Sequence, residues 1–324
     1  MIILLAFCLT GCSIRGIAEE IIAPYVETTV PATQNEQPAT AATTAPTEPP
    51  TAPPETQAPA PEPSQGETVS PLTIVQPEPS DEDFVLVRRY IPDIFVDLRY
   101  ATQNNFTSQK IYEFQEAWLR YGTVKKLMQV QEELTQQGFY LKIWDGFRPP
   151  SAQFKLWEVC PDATYVANPY YGFSSHSRGN TVDLTLVYAD GTEVVMPTGF
   201  DDFSTLADRD YSDCSAEAAE NARVLEECMS KYGFTPYSGE WWHFADTQSY
   251  PAEEVFEPIP VAIYYVDGME LISLWEKPGT ESEVITKIAP GEQLHVAAEY
   301  DDFALVEYAG LWGYVLRVCI EPVS

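Results

Sequence analysis

Basic residues are scarce in this sequence: 18 Lys and Arg stand against 49 Asp and Glu in 324 residues, a formal net charge of −31. A chain so acidic repels phosphate, which excludes nucleic acid as a partner. Histidine is rarer still, at three residues, so the surroundings of each one carry information. Cysteine numbers six, at spacings that match no zinc knuckle. The apolar run at the N-terminus, Ile2 to Thr10, falls short of the roughly 20 residues that a bilayer-spanning helix needs. Against these shortages stand a 45% hydrophobic content and a length beyond one average domain. Together they predict two or more folded pieces with cores of their own.

The short apolar run closes on Leu9-Thr10-Gly11-Cys12, which resembles the end of a bacterial lipoprotein signal. By that resemblance residues 1–12 are the signal, Cys12 is the lipidated residue, and the chain works outside the cytoplasm on a membrane anchor. Residues 13–81 are expected as a disordered linker: from about Glu27 to Ser80 the composition is dominated by Pro, Thr, Ala, Glu and Gln, as in "TTAPTEPPTAPPETQAPAPEPS", with no Lys or Arg. Such a segment cannot bury enough apolar area to fold, and its prolines keep it extended. Fully stretched it reaches on the order of 150 Å, at about 3 Å per residue, which suits a tether from a membrane into a cell wall. It also carries much of the acidity, so net charge does not describe the functional site. With Cys8 and Cys12 set aside, Cys160, Cys214, Cys228 and Cys319 remain. A disulfide such as Cys160–Cys214 and free buried thiols are both open outside the cytoplasm.

Patterned sequence begins near Asp83. "FVLVRRYIPDIFVDLRY" reads as strands with a turn. "TVKKLMQVQEELTQQG" places Val124, Leu127, Met128, Val130 and Leu134 near helical spacing, with Gly138 as the stop. "YLKIWDGFRPP" is a strand and a loop, and "SAQFKLWEVC" a short helix capped by Ser151. "TVDLTLVYADGTEVVM" is a strand pair turning at Asp190-Gly191. "SAEAAENARVLEECMSKYG" is a helix ended by Gly233, and "GEWWHFAD" a final strand. Helices and hairpins so mixed predict an α+β domain over 82–256. The tail, 259–324, has short strands broken at Lys277-Pro278-Gly279, Pro290-Gly291, Asp301-Asp302 and Gly310. It predicts a small all-β module.

Two of the three histidines, His176 and His243, fall in the α+β domain, with Asp183 seven residues after the first and Glu240 three before the second. A zinc hydrolase needs three protein ligands, an open position for water, and a carboxylate that takes the water's proton. His176, Asp183 and His243 can be the ligands and Glu240 the base. In a regular strand Glu240 and His243 would face opposite ways, so Glu240 is expected in the loop before the strand. Plainer roles exist for each: either histidine as a satisfied core residue, Asp183 as a capping or salt-bridged carboxylate, Arg148 as a partner of Asp145, Trp241 and Trp242 as core aromatics. His295, in the tail, is incidental.

The pattern Ser174, His176, Gly179, Asp183, then Glu240, Trp242, His243 resembles the zinc D,D-peptidases related to D-alanyl-D-alanine carboxypeptidases. Within that group, "DLRYATQNNF", "WDGFRPPSAQF", "SSHSRGNTVDLTL" and "YSGEWWHF" are closer to D-alanyl-D-alanine dipeptidases of the vancomycin-resistance type, over about residues 83–250. Asn180 and Thr181 depart from the small residues usual there, and "MPTGFDDF" (196–203) matches weakly. The resemblance implies an α+β D,D-peptidase domain with one zinc ion on His176, Asp183 and His243. Glu240 would be the general base and later proton donor, and Arg148 would stabilise the oxyanion. Ser174 would meet the substrate carboxylate, and Tyr100 and Asp201 (beside Asp202) its free ammonium. In the tail, "ISLWEKPG", "VITKIAPGEQLHV" and "FALVEYAGLWGYV" resemble bacterial SH3 domains, which implies an SH3-like barrel that binds peptidoglycan.

The expected reaction is hydrolysis of D-Ala-D-Ala. Trimming of peptidoglycan stem peptides by a D,D-carboxypeptidase is the near alternative, and a non-catalytic wall-binding lipoprotein the distant one. A non-haem iron site would also use two histidines and a carboxylate, but the close His-x-Asp pair is absent and Glu240 would have no task.

Overall fold

The computed structural model describes residues 75–323. Cys12 and most of the tether therefore lie outside the described residues. The catalytic part is built on a five-stranded sheet and a two-stranded ribbon. The ribbon pairs β1 (Phe84–Leu86) with β3 (Trp118–Arg120); the sheet runs β2 (Phe95–Val96), β4 (Tyr140–Asp145), β5 (Thr181–Val187), β7 (His243–Asp246), β6 (Phe234–Pro236). Only β2 and β4 are parallel; the other sheet pairings are antiparallel. Every residue of β5 is buried, as befits the central strand.

Four helices complete this part: α1 (Val87–Tyr90), α2 (Tyr121–Gln136), α3 (Pro150–Val159) and α4 (Ala216–Lys231). The two long ones follow their sequence patterns. On α2, Val124, Leu127, Val130 and Leu134 are fully buried. Met128 is exposed instead, and Gln131 takes the inward position, where its Oε1 accepts the Leu141 N–H at 2.9 Å. Gly138 follows α2 at φ +85°, a conformation that disfavours any side chain. Ser215 caps α4 by accepting the Ala218 N–H at 3.1 Å.

Three local expectations change. The first strand of "FVLVRRY" stops after Leu86, and a single helical turn follows. Val87 and Ile91, one turn apart, are both buried while Arg88 is exposed; a continued strand would have turned one of the two arginines inward. Ser151 does not cap α3. Pro149 precedes the helix and Pro150 occupies its first position, where a missing N–H costs nothing; the Ser151 hydroxyl donates to Glu257 at 2.8 Å. The second strand after Asp190-Gly191 shrinks to one bridge, Val187 to Glu193. The four cysteines are free thiols, so Cys160 and Cys214 are not bridged.

The tail is all β, as expected: a seven-stranded antiparallel sheet in the order β10 (Val284–Ile288), β9 (Ile272–Trp275), β13 (Leu311–Leu316), β12 (Phe303–Tyr308), β11 (Gln293–Tyr300), β8 (Phe256–Val266), β14 (Ile320–Pro322). It has a core of its own around Leu274, Leu294, Val306 and Val315. It also packs on the catalytic part. Phe256 stacks on Phe84 at 4.5 Å and meets Trp118 edge-on at 5.2 Å, and Leu305 and Tyr314 belong to the catalytic core cluster.

Candidate metal centre and substrate pocket

The antiparallel pairing of β5 and β7 sets Asp183 directly opposite His243. Neighbours so paired bring their side chains together on one face. His176 arrives from a short 3-10 turn, Ser175–Arg178, which Ser174 opens by accepting the His176 N–H at 3.3 Å. Gly179 closes that turn at φ +73°, and a Cβ there would run into the Phe84 ring. The glycine is therefore required by both its dihedral and its close approach.

The result is a tight cluster in which one ligand atom from each of His176, Asp183 and His243 lies within 4.8 Å of the others. His176 Nε2 is 3.3 Å from Asp183 Oδ2, close to the spacing of about 3.3 Å between ligands on a tetrahedral zinc. The His176 Nδ1 is 2.9 Å from the Gly146 carbonyl, which holds the proton on Nδ1 and leaves Nε2 for an ion. His243 Nδ1 approaches Asp183 Oδ1 to 2.9 Å, yet that buried oxygen makes no hydrogen bond. Orphaned oxygen and converging nitrogens are what a bound cation would satisfy, and a mixed N, N, O set suits zinc. Burial would raise the Asp183 pKa, but the two histidines hold it well below the usual carboxylate range. Burial works against charge on His176, but Asp183 and then Asp145 raise its pKa.

Glu240 lies in the turn before β7, as expected, with Oε2 3.6 Å from His243 Nδ1. Burial, and then the charge of Asp183, raise its pKa. Trp241 and Trp242 beside it are both core residues, 1% exposed. Arg148 enters from the other side, buried, with its NH2 nitrogen 2.5 Å from Asp145 and its NH1 nitrogen 3.1 Å from Gln153. The plain pairing with Asp145 is thus present, and it leaves one N–H on each terminal nitrogen uncommitted. Burial opposes the charge of Arg148, but Asp145 raises its pKa further and keeps it protonated.

Tyr100 donates to Asp201 at 2.9 Å, so the two residues assigned to the ammonium end are brought together. Asp201 holds a left-handed φ of +54°. Burial, opposed by the Tyr100 hydrogen bond and aided by Asp183, pushes its pKa up to about 8. The neighbouring Asp202 is spent on its own turn, accepting the Ser204 N–H at 2.9 Å. His295 lies on the tail, paired with Glu307 at 2.8 Å.

Sequence reasoning underrated Asp145 and missed Arg209. Asp145, wholly buried after an irregularity in β4, accepts from Arg148, from the Tyr112 hydroxyl at 2.7 Å and from the Gly146 N–H, and lies 3.6 Å from His176. It holds Arg148 by direct bonds and adds negative charge beside His176, whose ring the Gly146 carbonyl orients. Arg209 ties the carbonyls of Tyr237 (2.7 Å) and His243 (3.0 Å) to Glu226 on α4, clamping the turn that carries Glu240. A buried Asp in "WDGFR" was a visible signal; Arg209 had none.

Comparison with known proteins agrees with this geometry. A family model described as D-ala-D-ala dipeptidase matches residues 80–260, and one described as bacterial SH3 domain matches 272–321. The D-alanyl-D-alanine dipeptidase of Escherichia coli (strain K12) is 35% identical over 162 residues, 49% of this chain and 83% of its own length. That of Enterococcus faecium is 32% identical over 181 residues, 50% of this chain and 90% of its own. The match over more than half of its length shows that this chain belongs to the D-Ala-D-Ala dipeptidase family of zinc peptidases, followed by a bacterial SH3 domain.

Proposed function

We propose that the protein hydrolyses D-Ala-D-Ala in cell-wall metabolism, with zinc on His176, Asp183 and His243. The observation that carries this reading is the convergence of those three side chains beside Glu240 and Arg148. Bound zinc polarises the scissile carbonyl and makes water more acidic. Glu240 takes the proton of the attacking water and returns it to the leaving amine; its raised pKa brings it nearer the working pH for both tasks. The free N–H groups of Arg148 meet the negative charge that develops on the carbonyl oxygen. Ser174 still has its hydroxyl proton to give to the substrate carboxylate, because its oxygen only accepts in the cap. Tyr100 and Asp201 receive the ammonium.

The working arrangement we infer is a signal over 1–12 lipidated at Cys12, a tether over 13–81, the peptidase domain over 82–256 and the SH3-like module over 259–324. The anchor would hold the enzyme at the outer face of the membrane while the module engages peptidoglycan. Tether and module together favour, as a second reading, action on stem peptides of the wall.

Zinc-loaded protein should release D-Ala from D-Ala-D-Ala, lose that activity to a chelator and regain it with zinc. No hydrolysis of the dipeptide by fully loaded protein overturns the proposal.

A further inference from the structure

The turn that carries His176 presents successive carbonyls that are bonded from outside it. The Glu253 N–H donates to the Ser177 carbonyl at 2.7 Å, the Arg120 Nε–H to that of Arg178 at 3.1 Å, and the Arg120 backbone N–H to that of Gly179 at 2.8 Å. Two residues thus hold the segment that follows the histidine. They are also joined to each other, with Arg120 Nη2 3.3 Å from Glu253 Oε2, and both are buried. Their remaining contacts fix each side chain. Arg120 Nη1 donates to the Glu82 carbonyl at 2.6 Å, and Glu253 Oε1 accepts the N–H groups of Val255 (2.9 Å) and Phe256 (3.2 Å).

The turn needs such support. It is a short 3-10 segment, whose hydrogen bonds are poorer than those of an α-helix, and Gly179 gives it no side chain to pack. Of the candidate ligands, Asp183 and His243 stand on strands, whereas His176 depends on this turn. The Gly146 carbonyl orients the His176 ring, but the place of its backbone is set by what holds the turn. A buried ion pair is weak ground for stability, since apolar residues of similar size often serve as well or better. Apolar residues cannot, however, supply a donor to the Arg178 carbonyl. The pair of Arg120 and Glu253 is therefore better explained by the turn it holds than by the energy of its own attraction.

We propose that Arg120 and Glu253 are positioning residues for the metal centre. Together they clamp the Ser177–Gly179 carbonyls, keep His176 Nε2 beside Asp183, and so set the affinity for zinc. Neither side chain touches the ion; each acts through the backbone of the His176 turn. The proposal rests on the reading of His176, Asp183 and His243 as a zinc site.

The test measures zinc dissociation constants by competition with a chromophoric chelator. The variants are Arg120→Lys, which keeps the charge and removes the Nε–H, and Glu253→Gln, which keeps an acceptor and removes the ion pair. Val315→Ala, in the core of the β module, controls for lost stability away from the site. Arg120→Lys and Glu253→Gln should each bind zinc about tenfold more weakly, as groups that support metal ligands contribute about 10–100-fold. Val315→Ala should lower the Tm and leave the zinc constant within about twofold. In a His176→Ala background, where the turn supplies no ligand, Arg120→Lys and Glu253→Gln should each change the constant less than about twofold. Arg120→Lys, which leaves Glu253 its cation, decides the matter if Glu253→Gln does not fold. An unchanged constant, an equal weakening in Val315→Ala, or an undiminished effect without His176 overturns the clamp. A wild type that binds no zinc overturns the metal centre and the clamp together. The expected zinc pattern in a protein inert on D-Ala-D-Ala upholds the clamp and overturns the dipeptidase reading alone.

Discussion

The two ends of the proposed substrate pocket, metal and ammonium, are built by different means. At the metal end, Asp183 and His243 face each other because β5 and β7 pair in one register, and a slip of one strand by one residue would turn its member away. At the ammonium end, Asp201 sits on an irregular loop with φ +54°, held by its bond to Tyr100 and by the packing of Phe200 among aromatic rings. A backbone ladder pairs two residues of the first end; a side-chain hydrogen bond and packing give the second its shape. Chemistry common to a family belongs on the former, and adjustment to a particular substrate on the latter.

Substitutions at the two ends should therefore fail differently. Glu240→Ala should lower kcat by about 10⁴-fold while zinc content stays at one equivalent, since a general base contributes about 10²–10⁴. Metal analysis of the purified variant checks this, and loss of zinc would make Glu240 a ligand instead. Arg148→Lys should cost about 10²–10³ in kcat with little change in KM, because Lys cannot reproduce a fork held by Asp145 and Gln153. A change confined to KM would remove Arg148 from the oxyanion.

At the ammonium end the effect should be smaller and should depend on pH. Burial keeps Asp201 protonated up to about 8 in the free enzyme, so its charge, and its attraction for an ammonium, is lost as pH falls below that value. The kcat/KM on D-Ala-D-Ala should therefore rise with pH toward about 8, and fall beyond it as the substrate amine loses its own proton. Asp201→Asn should raise KM about tenfold and remove the acid limb. An unchanged limb would assign it to another group. Smallest, and away from the pocket, Ser215→Ala removes the cap of α4 and should cost about 1 kcal/mol in thermal unfolding with turnover intact. A loss of activity there would mean that α4, through Glu226 and Arg209, does more than support the Glu240 turn.

Much of this was legible beforehand, for stated reasons. The long helices were readable because their apolar residues recur on one face and Gly138 and Gly233 end them at positive φ. Glu240 was placed before the strand because alternation forbade it and His243 the same face within one. The turn at Val87 was not readable, since four residues carry no period. Nor was the Pro149-Pro150 start of α3, where Ser151 offered a plausible but unused cap. Arg209 was invisible because its task is to bind carbonyls that only the folded turn brings together.

The sequence by itself determined the composition of the candidate site: two histidines and one aspartate that can hold a metal, with a glutamate beside them, in a spacing that few chemistries can use. It also determined the order of peptidase and β module, because the period changes sharply between them. The tertiary structure decided what surrounds those residues. Asp145 gathers Arg148, the Tyr112 hydroxyl and the Gly146 N–H because a wholly buried carboxylate must be satisfied by the donors in reach. Tyr100 and Asp201 meet only in the folded chain, where packing brings together residues far apart in sequence.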